Sequence, residues 1–145
     1  MLTVKLVENK TELEQAFKIR IEVFVREQNV PEQIEIDEFD DIADHVIALR
    51  DGEPVGCGRV FFEDGYARIG RVAVLPKERK KGTGKLICEK LISIAKDKGA
   101  RKFVLDAQVR ASGFYEKLGF SVTSGVFIEA GIEHVRMEAD ADNLN

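Results

Sequence analysis

The stretch VLPKERKKGTGKLI, residues 74–87, joins an apolar run to a helical one through basic, glycine-bearing chain. Lys77, Arg79, Lys80, Lys81 and Lys85 stand there against the single acid Glu78, in a chain whose formal net charge is −4. Such a junction is a general anion cradle. The first N–H groups of a helix have no partner within it, and the helix dipole favours negative charge beside them. Gly82 and Gly84 let a phosphate come close to the backbone, and the cations supply net charge. Spacing excludes two common phosphate binders. A nucleotide P-loop needs a glycine five residues before its Gly-Lys pair and a hydroxyl after it, where this chain has Arg79 and Leu86. A dinucleotide fingerprint needs a third glycine at the position of Ile87.

Upstream of this junction, HVIALR (45–50), PVGCGRVFFE (54–63) and YARIGRVAVL (66–75) read as strands separated by the turn signals DGE and EDG. LTVKLVE (2–8) alternates as a first strand. Leu13, Phe17, Ile21, Phe24 and Val25 then recur at helical spacing, with Thr11 and Glu14 as a capping box and Pro31 as the far limit. EQIEIDEFDDIAD (32–44) is too polar for a core strand and reads as a solvated loop with a helical turn. The weaker reading of its acids is attraction of a cationic amine. Downstream, Leu86, Ile87, Leu91, Ile94 and Ala95 mark a helix closed by Gly99. RKFVLDAQ (101–108) is a short buried strand, ASGFYEKLG (111–119) a short helix, and FSVTSGVFIE (120–129) with EHVRMEA (133–139) a closing strand pair. The order predicts an α+β domain: a mixed, mostly antiparallel sheet of about seven strands flanked by helices, with a parallel crossover from Tyr66 to Gln108. One domain should span residues 1–140, leaving 141–145 as a polar tail expected to fray.

The chain has 145 residues, 44% apolar and 33% charged, the balance of a soluble globular domain. It has no apolar run of about 18 residues and no leader-like N-terminus, so a cytoplasmic protein away from membranes is expected. Cys57 and Cys88 have no framework spacing and should be reduced and buried. With His45 and His134 they form no metal-ligand pattern, so no metal is expected. The acidic balance argues against a nucleic-acid partner.

Arg79-x-x-Gly82-x-Gly84, following a strand that ends Val-Leu-Pro, resembles the acetyl-coenzyme A motif of the GNAT superfamily of N-acetyltransferases. ASGFYEKLGF (111–120) resembles the family's second element at the right distance, and IRIEVFVREQNVP (19–31) with GIEHVRM (131–137) resembles its YjcF/ElaA-like branch. The resemblance implies a GNAT fold, acetyl-CoA as cosubstrate, and direct acetyl transfer to a primary amine in a ternary complex. It implies backbone contacts to the pyrophosphate from Lys80, Lys81, Gly82, Thr83, Gly84 and Lys85, with added charge from Arg79. The strand edge at Val72, Ala73 and Val74 would hold the pantetheine arm. Tyr115, protonated at neutral pH, would serve the departing thiolate, with Phe114 beside it as plain packing. A homodimer is compatible with the family.

The branch often has a glutamate on the fourth strand where this chain has Gly70. A carboxylate elsewhere, or a water chain, must then take the amine's proton. Glu27 and Asp106 are candidates on the acceptor side, with Phe24 and His134. Their bland readings are a surface ion pair for Glu27, a cap or turn role for Asp106 and a structural role for both histidines. The missing glutamate also keeps open a domain that binds acyl-CoA without catalysis.

Overall fold

A computed structural model describes residues 1–144. Along the chain run β1 (Leu2–Leu6), α1 (Lys10–Arg20), a wider π-helical continuation (Ile21–Glu27), α2 (Glu32–Glu35), a 3₁₀ turn (Glu38–Asp41) and β2 (Asp44–Arg50). β3 (Glu53–Glu63), β4 (Tyr66–Val74), α3 (Thr83–Asp97), β5 (Lys102–Gln108), α4 (Ser112–Leu118), β6 (Ser121–Val122), β7 (Phe127–Glu129) and β8 (Ile132–Asp140) complete it.

The strands form one sheet in the order β1-β2-β3-β4-β5-β8-β6, with β7 also on β8. It has eight strands, where the sequence predicts about seven. The segment 120–129 breaks in two because Ser124 and Thr123 turn their hydroxyls onto β8: the Arg136 amide donates to Ser124 Oγ and Thr123 Oγ1 donates to Glu138. Every pairing is antiparallel except β4 with β5, which are parallel. That parallel contact is only two residue pairs long, Ala67 with Phe103 and Arg68 with Val104. Past it the two strands separate.

Alternation along β3 sends its two faces to different partners. Gly56 and Gly58 face α3 so closely that a Cβ at Gly58 would lie 2.9 Å from Leu91 and 3.0 Å from Ile87. A Cβ there would force the Leu91 and Ile87 side chains to shift. Ile87, Leu91, Ile92 and Ala95 of α3 close over Val46, Val60, Ile69 and Phe103 as the main core. On the opposite face Ala16, Ile19 and Val23 cover Cys57 and Ala73. The buried stripe of α1 is therefore rotated from the Leu13–Phe17–Ile21 stripe, because small Ala16 allows the closer approach: its carbonyl accepts from the Cys57 thiol. α1 also begins earlier than the Thr11 capping box predicts, since Asn9 caps it by accepting from the Glu12 amide at 2.9 Å.

The tail expected to fray is packed as far as it is described. Residues Ala141–Asn143 make a 3₁₀ turn, Leu144 is buried in the main core, and Lys96 donates to the Leu144 carbonyl. Asn145, the end of that expected tail, lies outside the described residues. Among the described residues no helix is long and apolar enough to cross a membrane.

Candidate active site

The basic junction folds as predicted and gains charge from its surroundings. Glu78, the lone acid, is buried beneath it, where Arg50 donates at 2.6–2.9 Å and the Thr83 hydroxyl at 2.9 Å. Hydrogen bonds from Arg50 come first, and with Thr83 they hold its carboxyl down at about 2. Lys77, Arg79, Lys80, Lys81 and Lys85 are all exposed. The chain enters α3 through two left-handed residues, Lys80 (φ 64°) and Gly82 (φ 84°). Such reversals curl amide groups into an anion-binding concavity. The α3 ladder starts with the Leu86 amide donating to the Gly82 carbonyl at 3.2 Å, so the amides of Thr83, Gly84 and Lys85 have no partner in it. Phe114, expected as plain packing, is 38% exposed and stands over Gly84, where a Cβ would meet its ring at 3.7 Å.

The separation of β4 and β5 opens a cavity of about 750 Å³, within the range of small-molecule sites. Val72, Ala73, Val74 and Arg79 line it on the β4 side, with Asp106 and Gln108 on β5. Phe24 and Glu27 of the π-helical segment, Tyr115 of α4 and His134 of β8 line it as well. Thus the acceptor-side candidates and Tyr115 share one space with the strand edge, and Lys80 to Lys85 form the turn that follows it, with Thr83 buried. The wider winding after Arg20 turns Phe24 and Glu27 to the cavity and leaves Arg20 buried.

Individual side chains carry distinct states. Burial pushes the Tyr115 hydroxyl well above its ordinary range, so it keeps its proton at neutral pH. Its ring packs edge-on against Phe114 and Phe120. Glu27 is held by Arg79 through two bonds of 2.6 and 2.7 Å, and that hydrogen bonding lowers its pKa. Arg79 also donates from Nε to the Val74 carbonyl. Asp106 takes no cap or turn role; it lies within β5 and accepts from Arg68 at 3.1 Å. Cys57 and Cys88 are free thiols, each pushed up to about 12 by burial. His45 is structural: its Nε2 lies 2.9 Å from the Asp40 carbonyl.

The acidic segment departs most from expectation. Glu35 and Asp40 are buried rather than solvated. Arg20 donates to Asp40 at 2.6 and 3.0 Å and to Glu35 at 3.0 Å. Arg59 donates to Asp37 at 2.6 Å and to Asp40 at 2.9 Å. Burial opposes ionisation of Asp40, but bonds from Arg20, the Asp37 amide and Arg59 outweigh it and hold its carboxyl at about 2. Arg71 joins the group through a bulge. Its φ is 53°, and the β3–β4 register slips by one residue between Cys57/Ala73 and Arg59/Gly70. One extra residue reverses the alternation, so Val72 and Val74 meet the α3 core while Arg71 reaches Glu35 and Asp37 at 3.1 Å. Of the cavity-lining charges, Glu35 and Asp37 are weighed in the sequence only as acids of the polar segment, and Arg59, Arg68 and Arg71 are not singled out there. Their signal was there: Arg59 interrupts an apolar strand, and Arg68 and Arg71 recur along the next.

Residues 8–141 match the family model described as an acetyltransferase (GNAT) domain. The uncharacterized N-acetyltransferase YjcF of Bacillus subtilis is 42% identical over 136 residues, 93% of this chain and 97% of that protein. The Escherichia coli ElaA structure superposes with a TM-score of 0.86 at 27% identity, covering 96% of this chain and 99% of that one. A Bacillus subtilis acetyltransferase solved in complex with CoA shares the fold at a TM-score of 0.73 and 20% identity, covering 97% and 99%. The chain belongs to the GNAT acetyltransferase family.

Proposed function

We propose that this protein is an acetyl-CoA-dependent N-acetyltransferase that passes the acetyl group directly to a primary amine in a ternary complex. The observation that carries the reading is the early separation of β4 and β5 beside a helix start with three unpartnered amides. The turn at Lys80, Lys81, Gly82, Thr83, Gly84 and Lys85 receives the pyrophosphate, with Arg79 adding charge. The strand edge at Val72, Ala73 and Val74, where Arg79 already holds the Val74 carbonyl, receives the pantetheine arm. A thioester so held would lie in the cavity that Tyr115 lines, and the retained proton of Tyr115 suits it to meet the departing thiolate. The amine enters from the wall formed by Phe24, Glu27, Asp106 and His134. Two free, buried thiols suit a reducing compartment such as the cytoplasm, and a direct transfer needs neither of them.

Gly70 favours one other reading, a domain that binds acyl-CoA without catalysis. A Cβ there meets nothing within 4 Å, and no carboxylate is supplied from that point of β4. Acetyl-CoA, but not ATP, should raise the melting temperature by several degrees, since a ligand at 100 times its Kd adds about 2.7 kcal/mol. Thiol release with a panel of primary amines should follow. Tyr115→Phe should lower kcat roughly 10²–10⁴-fold with acetyl-CoA affinity unchanged. Binding without thiol release from the wild type would give the field to the second reading, and a loss of only a few-fold would remove Tyr115 from the chemistry.

A further inference from the structure

Of the carboxylates that line the cavity, Glu129 alone among the described residues has no arginine, and Glu63 is paired with Arg68. Glu27 is held twice by Arg79, Asp106 by Arg68, Asp37 by Arg59 and Arg71, and Glu35 by Arg20 and Arg71. A carboxylate held by guanidinium gives up basicity. His134 is differently placed. It lies on β8 in register with Gln108, the last residue of β5, where the sheet has opened. It is 8% exposed, lines the cavity, and stacks on Phe127 with ring centroids 5.9 Å apart. Its Nδ1 lies 2.7 Å from the Ile132 carbonyl oxygen. A carbonyl can only accept, so Nδ1 carries the proton and the neutral ring keeps its lone pair on Nε2. Nε2 lies 3.9 Å from Glu129 Oε2, and Glu129 and Ile132 line the same cavity. Of the elements around the ring, β7 contributes Phe127 and the Glu129 carboxylate, while β5 contributes uncharged Gln108, which holds Gln28 at 2.7 Å. Arg110, just past β5, donates to Gln108, and Arg136 on β8 is taken up by Glu138.

We propose that Nε2 of His134 is the proton acceptor for the substrate amine, an inference that rests on the transferase reading above. The ammonium gives one proton to Nε2, directly or through water, and the resulting imidazolium is stabilised by the Ile132 carbonyl and the Glu129 carboxylate. The neutral amine then forms the C–N bond as the C–S bond breaks. Tyr115 gives its proton to the sulfur and regains one from the new amide nitrogen. His134 returns its proton to solvent. The balance is one amide, one free thiol and one proton released.

Two probe amines separate this role from a structural one. Butylamine is an ammonium at pH 7 and needs a proton acceptor; 2,2,2-trifluoroethylamine is already neutral and needs none before attack. His134→Asn keeps a donor near the Ile132 carbonyl, and His134→Gln serves as a second variant if the first melts early. Thiol release from acetyl-CoA with butylamine should fall about 10²–10⁴-fold in either variant, and with trifluoroethylamine by no more than about threefold. Nitrogen-15 shifts of the wild-type ring, loaded with CoA, should show Nδ1 protonated and Nε2 bare in the neutral form. If both amines slow alike, if neither slows, or if Nε2 carries the neutral ring's proton, this proposal alone falls. If the wild type binds acetyl-CoA yet acetylates neither amine, the transferase reading falls and takes the proposal with it.

Discussion

Against α3 the sheet presents Val46, Val60, Ile69 and Phe103, all buried and all apolar. Against α1 and the acidic segment it presents Cys57 and Ala73, and next to them Arg59 and Arg71. The first face is held by area removed from water, which is tolerant of pH and spread over many contacts. The second uses a small apolar cluster and then three arginines interlocked with Glu35, Asp37 and Asp40. Buried pairs of this kind add little net stability over an apolar core, but losing one member leaves the others uncompensated. The turn proposed to bind phosphate grows from the first face, and the wall proposed to admit the amine from the second. One half of the site therefore has a robust base and the other a breakable one.

The largest effect should come from breaking the second face. Asp40→Ala strips both Arg20 and Arg59 of a partner and should cost about 3–5 kcal/mol in urea unfolding. A cost below about 1 kcal/mol would show that water replaces the carboxylate and that the two faces differ less than their chemistry suggests.

The pH dependence of that deficit sharpens the comparison. The folded value of Asp40, about 2, lies below the free value of 3.8. A depressed folded value gives a contribution that is complete above the free value and is lost as pH falls through the folded one. The Asp40→Ala deficit should accordingly shrink between about pH 4 and about pH 2. On the first face, Leu91→Ala should cost about 2–5 kcal/mol and keep the same deficit across that window, having no titrating group to lose. Parallel pH curves for the two variants would abolish the distinction.

The smallest effect is expected where neither face is touched. Gly70→Ala adds a methyl to open space, so its stability should stay within about 0.5 kcal/mol of the wild type by thermal melting. A large loss would mean that the bulge after Gly70 depends on glycine's freedom.

The first face was legible in the sequence almost throughout, because period-2 strands and a period-3.6 helix announce apolar faces directly. The Gly82–Gly84 turn was legible for a similar reason, since its conformation lies in backbone and spacing. The second face was not. Arg59, Arg71, Glu35 and Asp40 look like solvated charges one at a time, and only the fold brings residues nineteen or more positions apart into contact. The reversed alternation after Gly70 was hidden too, because a one-residue bulge leaves the local pattern of β4 almost intact. Asp106 and the end of the chain show a third limit: polar residues were read as ends and loops, whereas Asp106 is an in-strand ion pair and Leu144 plugs the core.

Gly56 and Gly58 lie on β3 beneath α3, and they act as the sight by which the proposed anion cradle is aimed. The bearing of α3 on the sheet is set by how deeply Ile87 and Leu91 sink over those two bare positions. The cradle is merely the muzzle of that helix, with no stop of its own beyond Glu78 and Thr83 underneath. A methyl on β3 would press on Ile87 and Leu91, and, if the proposed cradle binds phosphate, the error would appear at the tip as a weakened grip.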